Sequence, residues 1–357
     1  MKLRTASFCD YDPVHEVCRR HGMSLASKAV WIRSWEANPH AAAFHDSPPA
    51  WLLEADDGRA VGCLINVPRT FFWNGRAIHG AVAGNWIVDP EHRGHSLKLA
   101  SAFYGQPNLD LLYHSTASAT VAKLMPFFKA DPLPLPEFGR SLLWAIHPYR
   151  VARAAIAKKK WPAASLLAAP AGAITYATAA LRISGGRRSV RAVVRLPEFD
   201  ARFEDFWGRL RAQCGRLVSD RSREVLRLRF GEALADGRML LVGMGDVSLS
   251  GYGLLLIRED RANRLRRGQV IDVQAEPEDD ELIAGLIAGL IREAKLDSCD
   301  VVEFAGFGGI KQRVAAQLAP HPRTLAHMPF WYRTRAPELA AALKSADAWD
   351  PSPFDYD

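Results

Sequence analysis

Two stretches of this chain, about 190 positions apart, carry the same order of turn signals and apolar runs, and this duplication limits the fold more than any single motif does. In the first, 51–58 and 60–67 alternate apolar residues around Asp57-Gly58, a dipeptide that tolerates positive φ, and so predict a hairpin. Asn74-Gly75 turns the chain into an apolar strand at 78–88, which stops at Asp89-Pro90. A helix opens at Pro90 and Glu91 and runs through 97–104. A strand at 109–114, a small polar turn (Ser115, Thr116, Ala117, Ser118) and a helix over 120–128 follow, closed by a proline-rich segment at 131–136. The second stretch repeats the order with strands at 239–244, 251–257 and 269–275, a periodic helix at 279–295, a strand at 301–305, a glycine turn at 306–309 and a helix at 310–318. Gly62 and Pro90 lie 28 positions apart and Gly251 and Pro277 lie 26 apart, so the unit is a duplicated domain and not a short solenoid repeat.

Length agrees, because 357 residues exceed the usual size of one hydrophobic core. The formal charge of +7 is unevenly placed. Eleven Lys/Arg and no Asp or Glu fall between 138 and 197, which leaves the rest of the chain acidic and argues against a general polyanion-binding surface; DNA is not an expected partner. Within this basic connector, 161–181 is an uncharged run long enough to cross a bilayer, but prolines and alanines make it weakly apolar. A packed helical linker is expected, with membrane-surface contact through 150–195 as the alternative. The five scattered cysteines form no CxxC or zinc-spaced cluster, so no metal site is expected, and the charged N-terminus lacks the apolar run of a signal peptide; both point to the cytoplasm.

The stretch GNWIVDPEHRGHSLKLASAFY at 84–104 joins a strand to a helix start, a place where backbone N–H groups and the helix dipole bind phosphate. Here the chain resembles the GNAT superfamily of acyl-CoA N-acyltransferases. Val88, Pro90, Arg93, Gly94 and Leu97 match its pyrophosphate-binding motif, Gln/Arg-x-x-Gly-x-Gly/Ala, whereas Ser96 and Lys98 depart from it. The resemblance implies an α/β fold, a mixed α+β sheet in each of two tandem GNAT-like domains: 1–140, binding acyl-CoA, and 198–335, degenerate. The connector at 141–197 would be helical and the tail at 336–357 loose. It also implies acetyl-CoA or another acyl-CoA as cofactor, cradled at the pyrophosphate by Arg93, Gly94, His95, Ser96, Leu97 and Lys98, with Ile87 and Val88 pairing with the pantetheine arm. Ser115, Thr116 and Ser118 would bond the thioester carbonyl or pantetheine amides, although a turn and an N-cap also explain them.

GNAT enzymes remove a proton from an ammonium and return one to a thiolate. The family's usual Glu on the strand and Tyr on the last helix are absent here, where Gly84, Asn85 and Met125 stand. His114 and His79 are the available bases, each also explicable as a hydrogen-bonded structural histidine. In the second unit the matching loop, 276–281, holds five carboxylates in six residues and would repel pyrophosphate. The expected activity is therefore acyl transfer to the amine of a small molecule or amino sugar. A non-catalytic CoA-binding scaffold and an aminoacyl-tRNA-dependent transferase of the same double fold are the alternatives.

Overall fold

The computed structural model describes residues 1–115, 117–158, 193–213, 215–318, 321–325 and 330–356. The uncharged run at 161–181 lies outside them, and no described helix is long and apolar enough to cross a membrane.

Local turn chemistry builds the first sheet. Strands β1 (Lys2–Ala6), β2 (Ala50–Glu54), β3 (Ala60–Trp73) and β4 (Arg76–Val88) pair antiparallel in sequence. Gly58 takes φ +83° between β2 and β3, and Asn74 and Gly75 take φ +50° and +74° between β3 and β4, a combination that matches the right-handed twist of a hairpin. Alternation along β2 decides the layers. Leu52 packs with Val14, Val17 and Trp31 of helices α1 (Tyr11–Arg20) and α2 (Lys28–Glu36), and Leu53 packs on the other face with Leu99 and Phe103 of α3 (Ser96–Gly105). Strand β5 (Leu111–His114) runs parallel to β4, and a Cβ at Gly80 would lie 2.5 Å from the Leu111 carbonyl oxygen, so the approach of the two backbones requires glycine there.

The second sheet has the same plan. Strands β10 (Met239–Met244), β11 (Gly251–Asp260) and β12 (Leu265–Ala275) form an antiparallel run, and β13 (Val301–Ala305) pairs parallel with β12. The helix Asp280–Leu296 is capped by the Asp279 carboxylate and buries Ile283, Leu286, Ile287 and Leu290 on one face of the sheet. Helices Arg202–Gln213 and Arg223–Ala235 cover the other face through Phe203, Phe206, Trp207 and Leu226.

The chain boundaries at 140 and 198 do not enclose the sheets. Strand β7 (Arg140–Ala145) leaves the first half and pairs with β13, while β15 (Trp331–Thr334) returns from the second half and pairs with β5. Strand β9 (Val218–Ser219) also crosses, adding to β3. Each half thus covers the open edge of the other's parallel strand, and one apolar cluster draws Phe71, Ile78 and Tyr113 together with Leu217, Tyr332 and Trp349. Among the described residues the first sheet consequently has eight strands and the second seven, and they remain separate sheets.

The tail expected to be loose is packed. Trp349, Asp350, Ser352, Phe354 and Asp355 are buried, because partners far away in sequence satisfy their polar groups. Lys311 donates to both Asp350 oxygens at 2.6 and 2.8 Å, Asp355 bonds Ser219, and the Arg221 guanidinium sits 4.5 Å over the Phe354 ring. Arg221 also forms two hydrogen bonds to Asp272, at 2.8 and 3.2 Å, with both side chains fully buried. Removing one partner of such a pair strands a buried charge. Arg221→Ala should therefore lower unfolding free energy by about 3–5 kcal/mol in urea titrations. The solvent-facing Arg227→Ala, on the same helix-bearing segment, should change it by less than about 0.5 kcal/mol.

Candidate active site

The two halves differ at the point where the parallel strands diverge. In the first, β4 and β5 pair only from Gly80–Leu111 to Val82–Tyr113, and β4 then continues to Val88 without β5 beside it. A register shift against β3 falls between Cys63 and Ile65, opposite Asn85, which adopts φ +36°. The amide of Asn85 fixes this bulge by donating to the Ser24 carbonyl at 2.9 Å. The wedge opens into a cavity of about 840 Å³, walled by residues 84–87 of β4, the 23–26 loop before α2, and Val225, Leu228 and Arg229 from the second half.

His114 ends β5 inside this cavity. It is 6% exposed, neither ring nitrogen has a hydrogen-bond partner among the described residues, and the Trp86 ring lies 6.2 Å away. Burial disfavours the imidazolium and pushes its pKa down to about 4, so the ring is neutral at physiological pH. His79 is elsewhere. It does not line the cavity; its ring packs 5.8 Å from Phe44 and 5.9 Å from His40, and its Nδ1 lies 3.4 Å from the Thr70 hydroxyl. Burial, then the neighbouring His40, pulls its pKa below the usual value. The pairing of the two histidines as bases of one site is thus not what the fold builds.

Among the other expected site residues, Ile87 and Ser118 line the cavity, and the Ser118 hydroxyl also accepts the Val121 N–H as the N-cap of α4 (Ala119–Ala122). Val88 packs into the core with Leu99 and Ala100, Ser115 is buried away from the cavity wall, and Thr116 lies outside the described residues. The segment expected to open directly as an α-helix instead winds as a 3-10 turn, Pro90–His95, before α3. The Ser96 N–H is spent on the Arg93 carbonyl, which leaves fewer free amides than an open helix start offers. Arg93, Gly94, Leu97 and Lys98 are exposed, His95 and Ser96 are half-buried, none of the six lines the cavity, and a Cβ on Gly94 would meet nothing within 4 Å. Asp89 anchors the turn: burial opposes its ionisation, yet hydrogen bonds from His21 and Arg20 hold its pKa below the usual range. Met125 is fully buried in the core, accepting the Tyr104 hydroxyl at 3.3 Å, and does not occupy the position of a proton donor. Pro126 breaks the expected helix over 120–128 into α4 and a 3-10 turn, Met125–Phe128.

A residue pair that the sequence does not announce completes the wall. His40 Nε2 lies 2.6 Å from Asp220 Oδ2, across 180 positions of chain, and both residues line the cavity. The crossing of β9 onto β3 brings Asp220 there, and the Ser222 N–H bonds its other oxygen at 2.7 Å.

In the second half the floor of the corresponding wedge is filled, and a smaller cavity of about 500 Å³, lined by residues 274–278, Gly309 and Ile310, lies over it. Strands β12 and β13 pair from Arg267–Val301 to Gln269–Glu303, and beyond that point Asp272 and Gln274 meet Arg221, Lys311, Asp350 and Ser352. Three of the five carboxylates of the acidic loop are paired by the chain itself, Glu276 with Arg209, Glu278 with Arg216 and Asp280 with Arg313. The glycine turn is closed as well: a Cβ at Gly306 would overlap the Tyr356 hydroxyl, and one at Gly308 would lie 2.9 Å from Leu135. Occupation by its own side chains, beyond carboxylate repulsion, sets this half apart.

No protein-family model and no curated protein matches the sequence. Solved structures do match. A GCN5-related N-acetyltransferase from Kribbella flavida superimposes with a TM-score of 0.55 at 17% identity, over 93% of this chain and 70% of that one. One from Anabaena variabilis gives 0.54 at 11%, over 93% and 72%, and Eis1 from Mycobacterium abscessus gives 0.52 at 15%, over 97% and 76%. The chain has the GNAT fold. Within that fold the open wedge and its buried, unpartnered histidine are the features that invite a ligand.

His114 also links the GNAT wedge to pH. An imidazole with a depressed folded pKa contributes stability above its unfolded value near 6.5 and loses it as pH falls toward 4, because the unfolded chain takes up the proton first. Unfolding free energy should fall over that window, by up to about 3 kcal/mol from this residue. His114→Phe should flatten that part of the profile, measured by urea titration from pH 7 to pH 4.

Proposed function

We propose that the chain is an acyl-CoA-dependent N-acyltransferase that moves an acyl group, acetyl in the simplest case, to the amine of a small molecule at the open wedge of the first half. The observation that carries this reading is the opening of β4 from β5 into an 840 Å³ cavity lined by buried His114, whose ring nitrogens both lack a hydrogen-bond partner among the described residues. A neutral imidazole can donate one N–H and accept one, so these atoms fit a carbonyl or thioester brought to them from outside the chain.

The remaining residues fit such a cosubstrate. Gly94 leaves open space where a side chain would stand, Arg93 and Lys98 supply exposed positive charge beside it, and residues 84–87 of β4 have no strand partner on the β5 side. Acyl-CoA, when bound, supplies an acyl group already activated as a thioester. The chain supplies position and proton handling. Asp220 fixes the orientation of the His40 ring through Nε2, which suits His40 to take the proton of an ammonium. His114, held neutral by burial, offers a hydrogen bond to developing negative charge on oxygen. The 23–26 loop, α2 and the helix Arg223–Ala235 close the cavity around the acceptor, so proximity contributes a large share of the rate.

Amine-dependent release of free CoA thiol from acetyl-CoA tests this directly, across a panel of small amines. Transfer should occur in the wild type, and absence of release with every amine would count against the reading. His40→Asn should lower kcat by about 10²- to 10⁴-fold with little change in acetyl-CoA affinity, and Asp220→Asn by a similar or smaller factor. Equal turnover in His40→Asn and wild type would remove His40 from proton transfer.

A further inference from the structure

Among the described residues, two arginines in the cavity wall lack an anionic partner. Arg69, on β3, gives Nη1 to the Pro68 carbonyl at 3.0 Å and Nη2 to the Tyr356 carbonyl at 3.3 Å, while its Nε is screened from solvent with no hydrogen-bond acceptor. Arg229, on the helix Arg223–Ala235, reaches the same Tyr356 carbonyl with Nη2 at 3.5 Å, and its Nη1 is screened and unpartnered. Its guanidinium stacks over Phe354 at 4.1 Å and Phe230 at 5.2 Å. Neither arginine forms an ion pair among the described residues. The nearby Asp355 is no substitute: burial pushes its pKa up, and its oxygens are taken by the Ser219 hydroxyl and the Ser352 N–H.

Placing two like cations together in a poorly hydrated wall costs free energy that one carbonyl oxygen does not offset. Burial and the proximity of Arg69 indeed push the Arg229 pKa down to about 9. Both residues line the same cavity as His40 and His114. Guanidinium forks with unused N–H donors are the side chains best suited to a carboxylate or phosphate, which would restore both the charge balance and the missing hydrogen bonds.

We propose that the acceptor is an anionic amine, a molecule carrying a carboxylate or phosphate besides its amine, and that Arg69 and Arg229 hold that anion while the amine faces His40. This rests on the acyl-transfer reading for the amine, but the anion site stands on its own geometry.

The test pairs each amine with a neutral counterpart: amino acids with their methyl esters, and amino-sugar phosphates with the parent amino sugars. The anionic member of the favoured pair should show kcat/KM about 10- to 100-fold higher, and Arg229→Met should erase that preference while leaving acetyl-CoA affinity intact. Which pair responds separates carboxylate from phosphate. Thermal shift gives a readout without turnover: N-acetylated amino acids or inorganic phosphate should raise Tm in the wild type and not in the Arg69→Met, Arg229→Met double variant. Loss of all transfer with this Arg-dependent shift retained would sink the transferase reading and keep the anion site. Equal kcat/KM for anionic and neutral partners, or a preference unchanged in Arg229→Met, overturns the proposal. So does a wild type that ignores every added anion but loses stability in Asp357→Asn, since the arginines would then serve the chain's own carboxylate.

Discussion

The ion pair between Arg221 and Asp272 is the interaction on which the asymmetry of this molecule turns. Both side chains are wholly removed from water, a loss that costs several kcal/mol per charge unless every donor and acceptor is met. Here they are met. Arg221 also reaches the Ser219 carbonyl and the Ser352 hydroxyl, while Asp272 accepts from Tyr252, Gln274 and Ser352. Gln274 passes the network on to Lys311 and Asp350, where Lys311 holds the Asp350 carboxyl far below its ordinary pKa against the opposing effect of burial. The floor of one wedge of the duplicated fold is thereby filled with satisfied charge, and the tail that supplies Asp350 and Ser352 is held in place by the same bonds.

The first wedge has no such filling. Among the described residues its His114 has no hydrogen-bond partner and its arginines are under-satisfied, and its walls come from both halves of the chain. The crossing strands explain how. Strand β9 carries Asp220 to His40, the tail carries Phe354 under Arg229, and β15 supports β5 just where His114 ends it. The second half thus builds part of the wall of the first wedge, which gives a physical reason for keeping both copies.

Local chemistry made much of this legible in advance. Asp57-Gly58 and Asn74-Gly75 force turns through positive φ, Asp279 caps the helix that follows it, and the alternation in β2 assigns its two faces. What the sequence hid depends on distance. His40 and Asp220, or Arg221 and Asp272, share no spacing pattern, because strand crossing and sheet packing bring them together. The tail reads as a polar, turn-rich end until Lys311 and Arg221 are known to meet it. Met125 was open to correction from sequence alone, since Pro126 prevents the helix that would have aimed its side chain at the wedge. His79 and His114 carry the same chemistry on adjacent strands, and only the point at which β4 leaves β5 decides which of them meets a cavity.

The central claim is that the first wedge, with the larger cavity, receives the ligand, while the floor of the second is occupied by the chain's own paired charges. Amide hydrogen exchange with and without acetyl-CoA tests it most directly, because it reads both wedges in one experiment. Slowed exchange confined to residues 84–98 and 114–118, with 269–282 and 305–311 unchanged, is the result this account predicts. Protection at the second wedge, or at both equally, would contradict it.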